Sequence, residues 1–391
     1  MPIFNSLGSN YDFKFVLDSL LSSDRLVYHT ELQELLKNKY GDAVTLLYKG
    51  RETIELALKT LDLPKDSFVA INGFTCFAVY EAVKNAGLNV EYLDLESGDI
   101  NFSADTLEKA VKKNPEMKAV IIQNTLGYPC QIKEISKICK DNNIILIEDL
   151  AHSVGTRYED GTEAGSVGDF TILSFSQDKM IDGISGGALI GKHSTKPDLK
   201  SLPNLQQIID RFYPLFTFLI RKTYPLYLGK ILHEILKRLN LLSKPVESLD
   251  YNLHNLPNWY CVLIKSAFEN LEENIDHRRE IASIYNENIN PKVISKVLSS
   301  QIDFSSNLRF PIFINNRADL IKYLSGHGVY VSDIWYDAPI APRKYLDKTD
   351  YNGQCPNAEL ASTSILNLPT HKNVSEIDAR EILELINKWL Q

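Results

Sequence analysis

The chain has 391 residues, of which 44% are hydrophobic and 24% are charged, and its formal net charge is −8. This composition is ordinary for a globular protein, and the length allows one large α/β unit together with a smaller domain. The acidic balance argues against a nucleic-acid partner, because proteins that bind nucleic acid present basic surfaces to the phosphate backbone.

The cysteines and histidines indicate neither a disulfide framework nor a metal site. The five cysteines are scattered and odd in number, and no C-x-x-C pair occurs among them. This usage favours a reducing cytoplasm. The eight histidines show no H-x-x-x-H spacing, so we expect no metal site. The first residues lack a basic region followed by an apolar stretch, so we expect no secretory signal.

Helices and strands alternate from about residue 46 to residue 190. Apolar residues at helical spacing predict helices over 52–61, 77–87, 103–114 and 132–143, with Ser103 as an N-terminal cap and Gly87 as a C-terminal signal. Short apolar runs predict strands at 66–73, 88–95, 117–124, 144–150, 169–175 and 185–190. This alternation predicts a mostly parallel sheet covered on both faces, with ligands bound beyond the carboxyl ends of its strands.

The stretch 205–243 is aromatic, leucine-rich and basic. Its longest uncharged run, Phe212–Ile220, is too short to span a bilayer. The pattern predicts a pair of helices packed over the rest of the chain, with Pro214 and Pro225 near helix starts. The alternative is an interfacial helix on an anionic membrane surface.

The last third of the chain predicts a small α/β domain. One long helix is expected over 259–289, followed by a strand at 305–314, a helix at 318–328, a strand at 329–336 and a helix at 375–390. We therefore predict a large domain over 1–250, with a helical insertion at about 205–243, and a smaller domain over 251–391.

Residues with charged or ionisable side chains lie at or just after the ends of the predicted strands. Glu148 and Asp149 end a buried strand, and His152 comes three residues after Asp149. Taken by itself, such an acid can simply cap the following helix, and a lysine such as Lys179 can simply be a solvated surface charge.

The wider set of residues points to pyridoxal phosphate. Ser174 and Lys179 follow one strand, and Gly50 and Arg51 begin a helix whose amides and dipole favour an anion. Pyridoxal phosphate chemistry needs a Schiff-base lysine, an acid beside the pyridine nitrogen, and a helix terminus with hydroxyls at the phosphate.

The segment LIEDLAHSVGTRYEDGTEAGSVGDFTILSFSQDKMIDGISGGALI, residues 146–190, resembles the DegT/DnrJ/EryC1/StrS family of sugar aminotransferases. The resemblance runs from about Tyr48 to the C-terminus, apart from the stretch 205–243. It implies the pyridoxal-phosphate-dependent transferase fold of type I, with a mostly parallel central sheet, flanking helices and a smaller C-terminal α/β domain.

The resemblance also implies roles for individual residues. Lys179 is the Schiff-base lysine and later moves the substrate proton, Asp149 pairs with the pyridine nitrogen, and His152 lies near the cofactor ring. The phosphate contacts are Ser174 and the helix start at Gly50, Arg51 and Glu52. Asn255, in YNLHNLPNW, corresponds to an asparagine that reaches the phosphate of the neighbouring subunit, which implies a homodimer.

Two departures from the family pattern bear on the site. Cys76 stands where many relatives carry an aromatic residue that stacks on the cofactor, and Phe77 lies next to it. A thiol stacks poorly, so either Phe77 turns inward or the ring is held differently. The phosphate loop reads KGRE, so the cation of Arg51 replaces a small hydroxyl.

We expect a cytoplasmic aminotransferase that moves an amino group, from glutamate by family analogy, to a keto-sugar for polysaccharide or glycoconjugate biosynthesis, and we expect this sugar to be nucleotide-linked. Two alternatives remain. One is a pyridoxal-phosphate sugar dehydratase or another eliminating enzyme, although family dehydratases carry histidine in place of the lysine. The other is a non-catalytic regulator or scaffold. Peripheral membrane contact through 205–243 is a further expectation.

Overall fold

A mixed seven-stranded sheet forms the centre of the molecule. The computed structural model describes residues 2–41, 43–191, 197–293, 295 and 299–391. Its strands are β1 (Ile3–Phe4), β2 (Val44–Leu47), β3 (Phe68–Asn72), β4 (Thr75–Cys76), β5 (Asn89–Leu93), β6 (Met117–Ile122), β7 (Ile145–Asp149), β8 (Phe170–Ser174), β9 (Gly187–Ile190), β10 (Arg309–Phe313), β11 (Val329–Tyr330), β12 (Ile340–Ala341) and β13 (Ile365–Pro369). The central sheet has the order β2-β9-β8-β7-β6-β3-β5.

Strands β5, β3, β6, β7 and β8 pair in parallel, whereas β9 runs antiparallel to both β8 and β2. Each parallel strand is a short apolar run, as expected for a sheet buried on both faces. The predicted mostly parallel sheet is therefore confirmed, and with it the α/β fold class.

Helices cover the sheet and build the rest of the chain. They are α1 (Phe13–Leu21), α2 (Leu26–Tyr40), α3 (Gly50–Thr60), α4 (Phe77–Asn85), α5 (Ala104–Lys113), α6 (Ile132–Asn142), α7 (Asn204–Thr223), α8 (Leu228–Arg238), α9 (Asn258–Glu269), α10 (Leu271–Asn288), α11 (Ser299–Ile302), α12 (Arg317–Gly326), α13 (Pro356–Ser364) and α14 (Glu376–Trp389). Short 3₁₀ turns lie at Thr125–Gly127, Tyr224–Leu226 and Arg343–Lys348.

The predicted helix signals act as expected. The Ser103 hydroxyl accepts the Thr106 N–H at the start of α5, 3.2 Å away. After α4, Gly87 has a φ of +79°, and the following Leu88 N–H donates back to the Val83 carbonyl. This left-handed residue ends the helix, as glycine commonly does.

Two local predictions in the last third of the chain were wrong in detail. The helix predicted over 259–289 is two helices, because the Asn270 side chain donates to the Ser266 carbonyl at 2.7 Å and the backbone leaves helical geometry there. The strand predicted at 329–336 covers only Val329–Tyr330, and the rest is a loop that enters the active-site region.

Helices are confirmed in the stretch 205–243, but Pro214 lies inside α7 rather than near its start. The helix continues through it because buried side chains on both sides, including Tyr213 and Ile220, pack against the molecule, and packing outweighs one missing hydrogen bond. Pro225 does lie near the start of a short 3₁₀ turn, Tyr224–Leu226. Within the residues that the structure describes, none of the helices has the length and apolar character needed to cross a bilayer.

The C-terminal part of the chain forms a second layer. Strands β10 and β13 pair antiparallel, and α10, α12 and α14 pack together beside them. Two short parallel pairs connect this part to the rest: β1 with β11, and β12 with β4. The division into domains over 1–250 and 251–391 stays a prediction.

Candidate active site

A cavity of about 270 Å³ opens at the carboxyl ends of β6, β7 and β8. Gln123 follows β6, Asp149 ends β7 and Ser174 ends β8, and all three side chains line it. Parallel strands present their carboxyl ends at one edge of the sheet, which is where ligands bind in this architecture. The cavity therefore lies where the sequence placed the site.

Lys179 reaches this cavity from the loop between β8 and β9. Its ammonium nitrogen lies 4.3 Å from the centre of the Trp335 ring. Burial lowers the pKa of Lys179 from 10.5 to about 8, although the nearby carboxylate of Asp149 partly offsets this. A lysine with such a pKa is partly neutral near pH 7 and is therefore available as a nucleophile or a base.

Asp149 faces the same cavity. In the described part of the chain, its carboxylate accepts one hydrogen bond, from the Ala151 N–H to Oδ1 at 2.9 Å. Burial raises the pKa of Asp149 to about 6. Its second carboxylate oxygen is thus available for a cationic partner, and such a partner would bring the pKa down again. This arrangement fits the protonated nitrogen of a pyridine ring.

His152 is held in one orientation. Its Nδ1 accepts the Leu126 N–H at 3.2 Å and lies 3.2 Å from the Tyr336 hydroxyl. Because a backbone N–H can only donate, Nδ1 is an acceptor, and the neutral ring carries its proton on Nε2. Burial, together with the positive charge of Lys179, lowers the pKa of His152 well below its ordinary value. His152 is therefore a neutral hydrogen-bonding group.

The start of α3 forms a cradle that an anion fits. A side-chain carbon placed on Gly50 would lie 2.8 Å from the Ser174 Cβ, so only glycine allows this close approach. Ser176 lines the same cavity, and its buried hydroxyl has no hydrogen-bond partner among the described residues. Free amides at a helix start beside an unpartnered hydroxyl are what a phosphate group needs.

Two cations border this cradle. The Arg51 guanidinium pairs with Glu81 and donates to the Pro245 carbonyl at 3.0 Å. Lys49 donates to the Lys244 carbonyl at 3.2 Å, and burial lowers its pKa to about 8. Arg51 therefore offers its backbone amide to the cradle and uses its side chain to hold the segment that closes it.

The structure brings together seven of the predicted residues and separates three. The cavity is lined by Gly50, Arg51, Cys76, Asp149, His152, Ser174 and Lys179. Glu52 instead accepts the His254 N–H at 3.0 Å, and the Phe77 ring stacks on Tyr345 at 4.7 Å. Asn255 has an exposed side chain outside the cavity of its own chain. The cofactor contacts assigned to these three residues stay predictions.

Two aromatic residues that line the cavity, Trp335 and Tyr336, were not predicted from the sequence. The Arg309 guanidinium lies 3.7 Å from the centre of the Trp335 ring, and the His152 ring stacks on the same ring at 5.3 Å. Tyr336 stacks on Phe74 at 4.5 Å. Neighbouring aromatic residues in a segment predicted as a strand gave no reason to place either one here. Ser176 had a clearer signal, because it comes two residues after Ser174, which ends β8.

The family model of the DegT/DnrJ/EryC1/StrS aminotransferase family matches residues 25–199 and 240–387. The chain belongs to this family. Membership confirms the resemblance found from residues 146–190, and it makes the chain an enzyme, an aminotransferase that depends on pyridoxal phosphate.

Individual family members align along nearly the whole chain. The UDP-4-amino-4,6-dideoxy-N-acetyl-beta-L-altrosamine transaminase of Campylobacter jejuni is 25% identical, over 97% of this chain and 93% of its own. The GDP-perosamine synthase of Escherichia coli O157:H7 is 24% identical, over 100% and 98%. The structure of Helicobacter pylori PseC, an aminotransferase involved in the biosynthesis of pseudoaminic acid, is 18% identical, with a TM-score of 0.73 and 99% coverage of both chains.

The residues of this family member fit its cofactor. Lys179 has the amine, Asp149 has an open carboxylate oxygen, and the Gly50 cradle with the unpartnered Ser176 hydroxyl suits a phosphate. No group of three or more histidine, cysteine, aspartate or glutamate side chains suited to a metal ion is found in the described ranges.

Proposed function

We propose that this aminotransferase transfers an amino group from an amino acid, glutamate by family analogy, to a nucleotide-linked keto-sugar. The observation that carries the proposal is the meeting of Lys179 and Asp149 in one cavity beside an anion cradle. The printed names of the relatives support the acceptor class, since they describe a transaminase for a UDP-linked amino sugar and a synthase for a GDP-linked one.

Each site residue has a distinct task in this reaction. When bound, pyridoxal phosphate supplies the electron sink that makes the α-proton of the amino acid removable. Asp149, in its ionised form, would hold the ring nitrogen of the cofactor in its cationic form. The Lys179 amine would take the α-proton of the donor and return it at the carbon that is to be protonated. With a pKa of about 8, about one in ten Lys179 side chains is neutral at pH 7, against about one in 3000 at the ordinary value.

The aromatic and apolar lining restricts water around Lys179. Trp335 and Tyr336 line the cavity next to Lys179 and His152, together with apolar side chains that include Ile54, Val79 and Val246. A mostly apolar enclosure around the lysine keeps its amine neutral more often and protects it from solvent. Lys179 also argues against the dehydratase alternative, and the intact site argues against a scaffold.

The test of this function has two arms. Borohydride reduction of the loaded protein should attach the cofactor to the peptide that contains Lys179. The pyridoxamine-phosphate form is then mixed, in single turnover, with a panel of keto-sugar nucleotides. We expect an amino-sugar product and the pyridoxal form with at least one of them. Attachment at another lysine would refute the site, and release of a deoxygenated sugar without amine transfer would identify an eliminating enzyme.

We also propose a homodimer in which Asn255 serves the cofactor of the neighbouring subunit. Its exposed position outside its own cavity supports this. Lys179→Ala and Asn255→Ala proteins, dissociated, mixed equally and reassociated, should regain about a quarter of wild-type activity. About half the dimers are then mixed, and each has one intact site.

The matched control mixes Lys179→Ala with Asp149→Asn. Both residues lie in the same cavity, so no mixed dimer contains an intact site, and no activity should return. Recovery in neither mixture would show that Asn255 serves its own chain. The assay should run at limiting cofactor, since excess cofactor masks the loss of one phosphate contact.

A further part of the proposal concerns an anionic membrane surface. Exposed apolar side chains line α7 and α8: Leu205, Ile208, Phe212, Leu219, Leu228, Ile231 and Ile235. Residues 204–243 contain six Lys or Arg and two Asp or Glu, a balance of +4 in a chain of −8. Apolar side chains flanked by positive charge are typical of interfacial helices.

Vesicles test the membrane contact. Sedimentation with phosphatidylglycerol–phosphatidylcholine vesicles should exceed that with phosphatidylcholine alone and should weaken in high salt. Replacing the exposed Ile231 and Ile235 by serine should abolish it without affecting folding. Equal behaviour with both vesicle types would refute the contact.

The five cysteines are free thiols, which supports the cytoplasm as the location.

A further inference from the structure

Three parts of the chain lie outside the family match: residues 1–24, residues 200–239 and the last four residues, 388–391. The first of these includes a stretch that we call the N-terminal segment, residues 3–12. Despite lying outside the match, the N-terminal segment contacts the loop that carries Lys179. The contacts are specific hydrogen bonds between buried or half-buried groups, which indicates that they do more than pack one surface against another.

Three consecutive residues of the N-terminal segment bind this loop. Ser9 donates to the Asp178 carboxylate twice, from its N–H at 3.1 Å and from its hydroxyl at 2.9 Å. The Asn10 amide donates to the Lys179 carbonyl at 3.3 Å. The Tyr11 hydroxyl donates to the Asp182 carboxylate at 2.9 Å. The contacts therefore fall on the lysine itself, on the residue before it and on the same short stretch after it.

The Asp182 carboxylate holds the loop in one conformation. It also accepts the Asp178 N–H at 2.7 Å, the Ile184 N–H at 3.0 Å and the Asn10 amide at 3.2 Å. Four donors thus converge on one buried side chain, two from the loop and two from the N-terminal segment. A buried carboxylate is stable only when its acceptors are satisfied in this way.

The loop needs such support because its backbone is strained. Asp178, directly before Lys179, has a φ of +61°, and the β-branched Ile184 has a φ of +74°. The left-handed region is unfavourable for both, and most of all for a β-branched residue. Such conformations persist only when surrounding contacts determine them.

The N-terminal segment is in turn fixed to the C-terminal part of the chain. The Arg278 guanidinium donates to the Asn10 side-chain oxygen at 3.2 Å, and the Asn373 amide donates to the Ser9 carbonyl at 2.6 Å. Strand β1 pairs with β11, which leads into the loop of Trp335. Arg221 of α7, which belongs to the unmatched residues 200–239, donates to the Tyr11 carbonyl at 2.8 Å.

We propose that Ser9, Asn10 and Tyr11 are positioning residues that fix the Lys179 loop, so that the lysine amine is aimed at the substrate carbon. The inference rests on the proposed role of Lys179. In this proposal, a segment outside the family match orients the catalytic lysine relative to Trp335 and the other residues that line the cavity. Proton transfer by Lys179, rather than binding of cofactor or donor, is the step that depends on this orientation.

The test compares two variants with a matched control. Tyr11→Phe removes one hydroxyl, and Asn10→Ala removes the amide that reaches Lys179 and Asp182. The control is Lys372→Ala, which breaks the ion pair of Lys372 with Asp12 at 2.8 Å, another attachment of the N-terminal segment that does not touch the loop. All three are studied as loaded, full-length enzyme.

We expect Asn10→Ala, and to a smaller degree Tyr11→Phe, to slow exchange of the donor α-hydrogen with solvent deuterium by at least tenfold, with kcat falling more than KM changes. The pH titration of the bound cofactor's absorbance should shift in the same variants. Lys372→Ala should stay within twofold of wild type in both measurements. The absorbance titration reports only folded, loaded protein, so partial unfolding cannot imitate the result.

The inference is overturned if the two loop variants behave like Lys372→Ala, or if the rate falls while the titration and the ratio of kcat to KM stay unchanged. Borohydride trapping on wild-type protein separates this from the proposed function. If wild type is not trapped on Lys179, the proposed function fails; if it is trapped and the variants are unaffected, only the positioning role fails.

Discussion

Replacing Lys179 by methionine should stabilise the protein without cofactor near pH 7. Methionine has nearly the length of lysine but no charge, so it removes a cation from a site where burial opposes it. The effect follows from the pKa of Lys179, which is about 8 in the folded protein against an ordinary 10.5. Because the folded pKa lies below the unfolded one, the unfolded chain binds more protons between these values.

The difference of about 2.5 units corresponds to about 3 kcal/mol at pH 7, where both states of the wild-type lysine are mostly protonated. This loss of stability in wild type shrinks as pH rises from about 8 to 10.5, and it is nearly gone at the upper end of that range. Wild-type stability should therefore approach that of Lys179→Met with rising pH. Packing of the methionine side chain adds an offset that does not depend on pH, so the slope is the quantity to test.

The assay is urea unfolding of both proteins, freed of cofactor, at several pH values from 7 to 10.5. Other titrating groups cancel in the difference between the two proteins. Lys140→Met, at an exposed position in α6, is the control for removing a lysine outside the cavity. A difference between wild type and Lys179→Met that does not change with pH would refute a depressed pKa, and with it the account of how Lys179 is kept reactive.

Three further changes test other residues that line the cavity. Asp149→Asn keeps the shape but not the charge, so we expect folding to persist and the rate to fall roughly 10³-fold in steady-state assays; a change of only a few-fold would mean that Asp149 merely caps its turn. Ser176→Ala should weaken binding of pyridoxamine phosphate by about tenfold or more in titration calorimetry, because the Ser176 hydroxyl has no other described partner. Unchanged binding would place the phosphate elsewhere. Gly50→Ala should weaken the binding of pyridoxamine phosphate more than Ser176→Ala does, since the new methyl would lie 2.8 Å from the Ser174 Cβ.

The parts of the site that follow strands were predictable from the sequence. Asp149 and Ser174 end apolar runs, and the rule that parallel strands share one carboxyl edge places them together. Lys179 was assigned through its spacing from these residues within a family motif. Local pattern was sufficient here because strand ends are fixed by the sheet, and the sheet is fixed by hydrophobic burial.

Side-chain direction and long-range contacts were not predictable in the same way. Glu52 belongs to the first turn of α3, but successive helical side chains point about 100° apart, so Gly50 faces the cavity while Glu52 turns to His254. Trp335 comes from a loop far along the chain. No local period marks a loop residue that covers a distant site, because its position depends on the packing of the whole fold.

Burial shifts the pKa values of Lys179 and Asp149 in opposite directions. Together the two shifts explain why the site suits a cofactor with a cationic ring. Burial lowers the pKa of Lys179 to about 8 and raises that of Asp149 to about 6. Between pH 6 and 8 both groups are therefore charged against the preference of their surroundings. The stability that Asp149 contributes is lost as pH rises from about 4 to 6, and the stability that Lys179 contributes is regained as pH rises from about 8 to 10.5.

These two groups therefore make the protein without cofactor least stable between about pH 6 and 8. A cationic ring held in the cavity would give Asp149 a partner of opposite charge, and a covalent link to the Lys179 amine would remove its free ammonium. Cofactor binding would therefore remove both unfavourable buried charges in this pH range. Lys179→Met combined with Asp149→Asn should consequently stabilise the cofactor-free protein most in this window, and urea midpoints measured from pH 4.5 to 10.5 should show the gain shrinking on both sides. A gain that is independent of pH would mean that the two charges are not buried together as the structure describes.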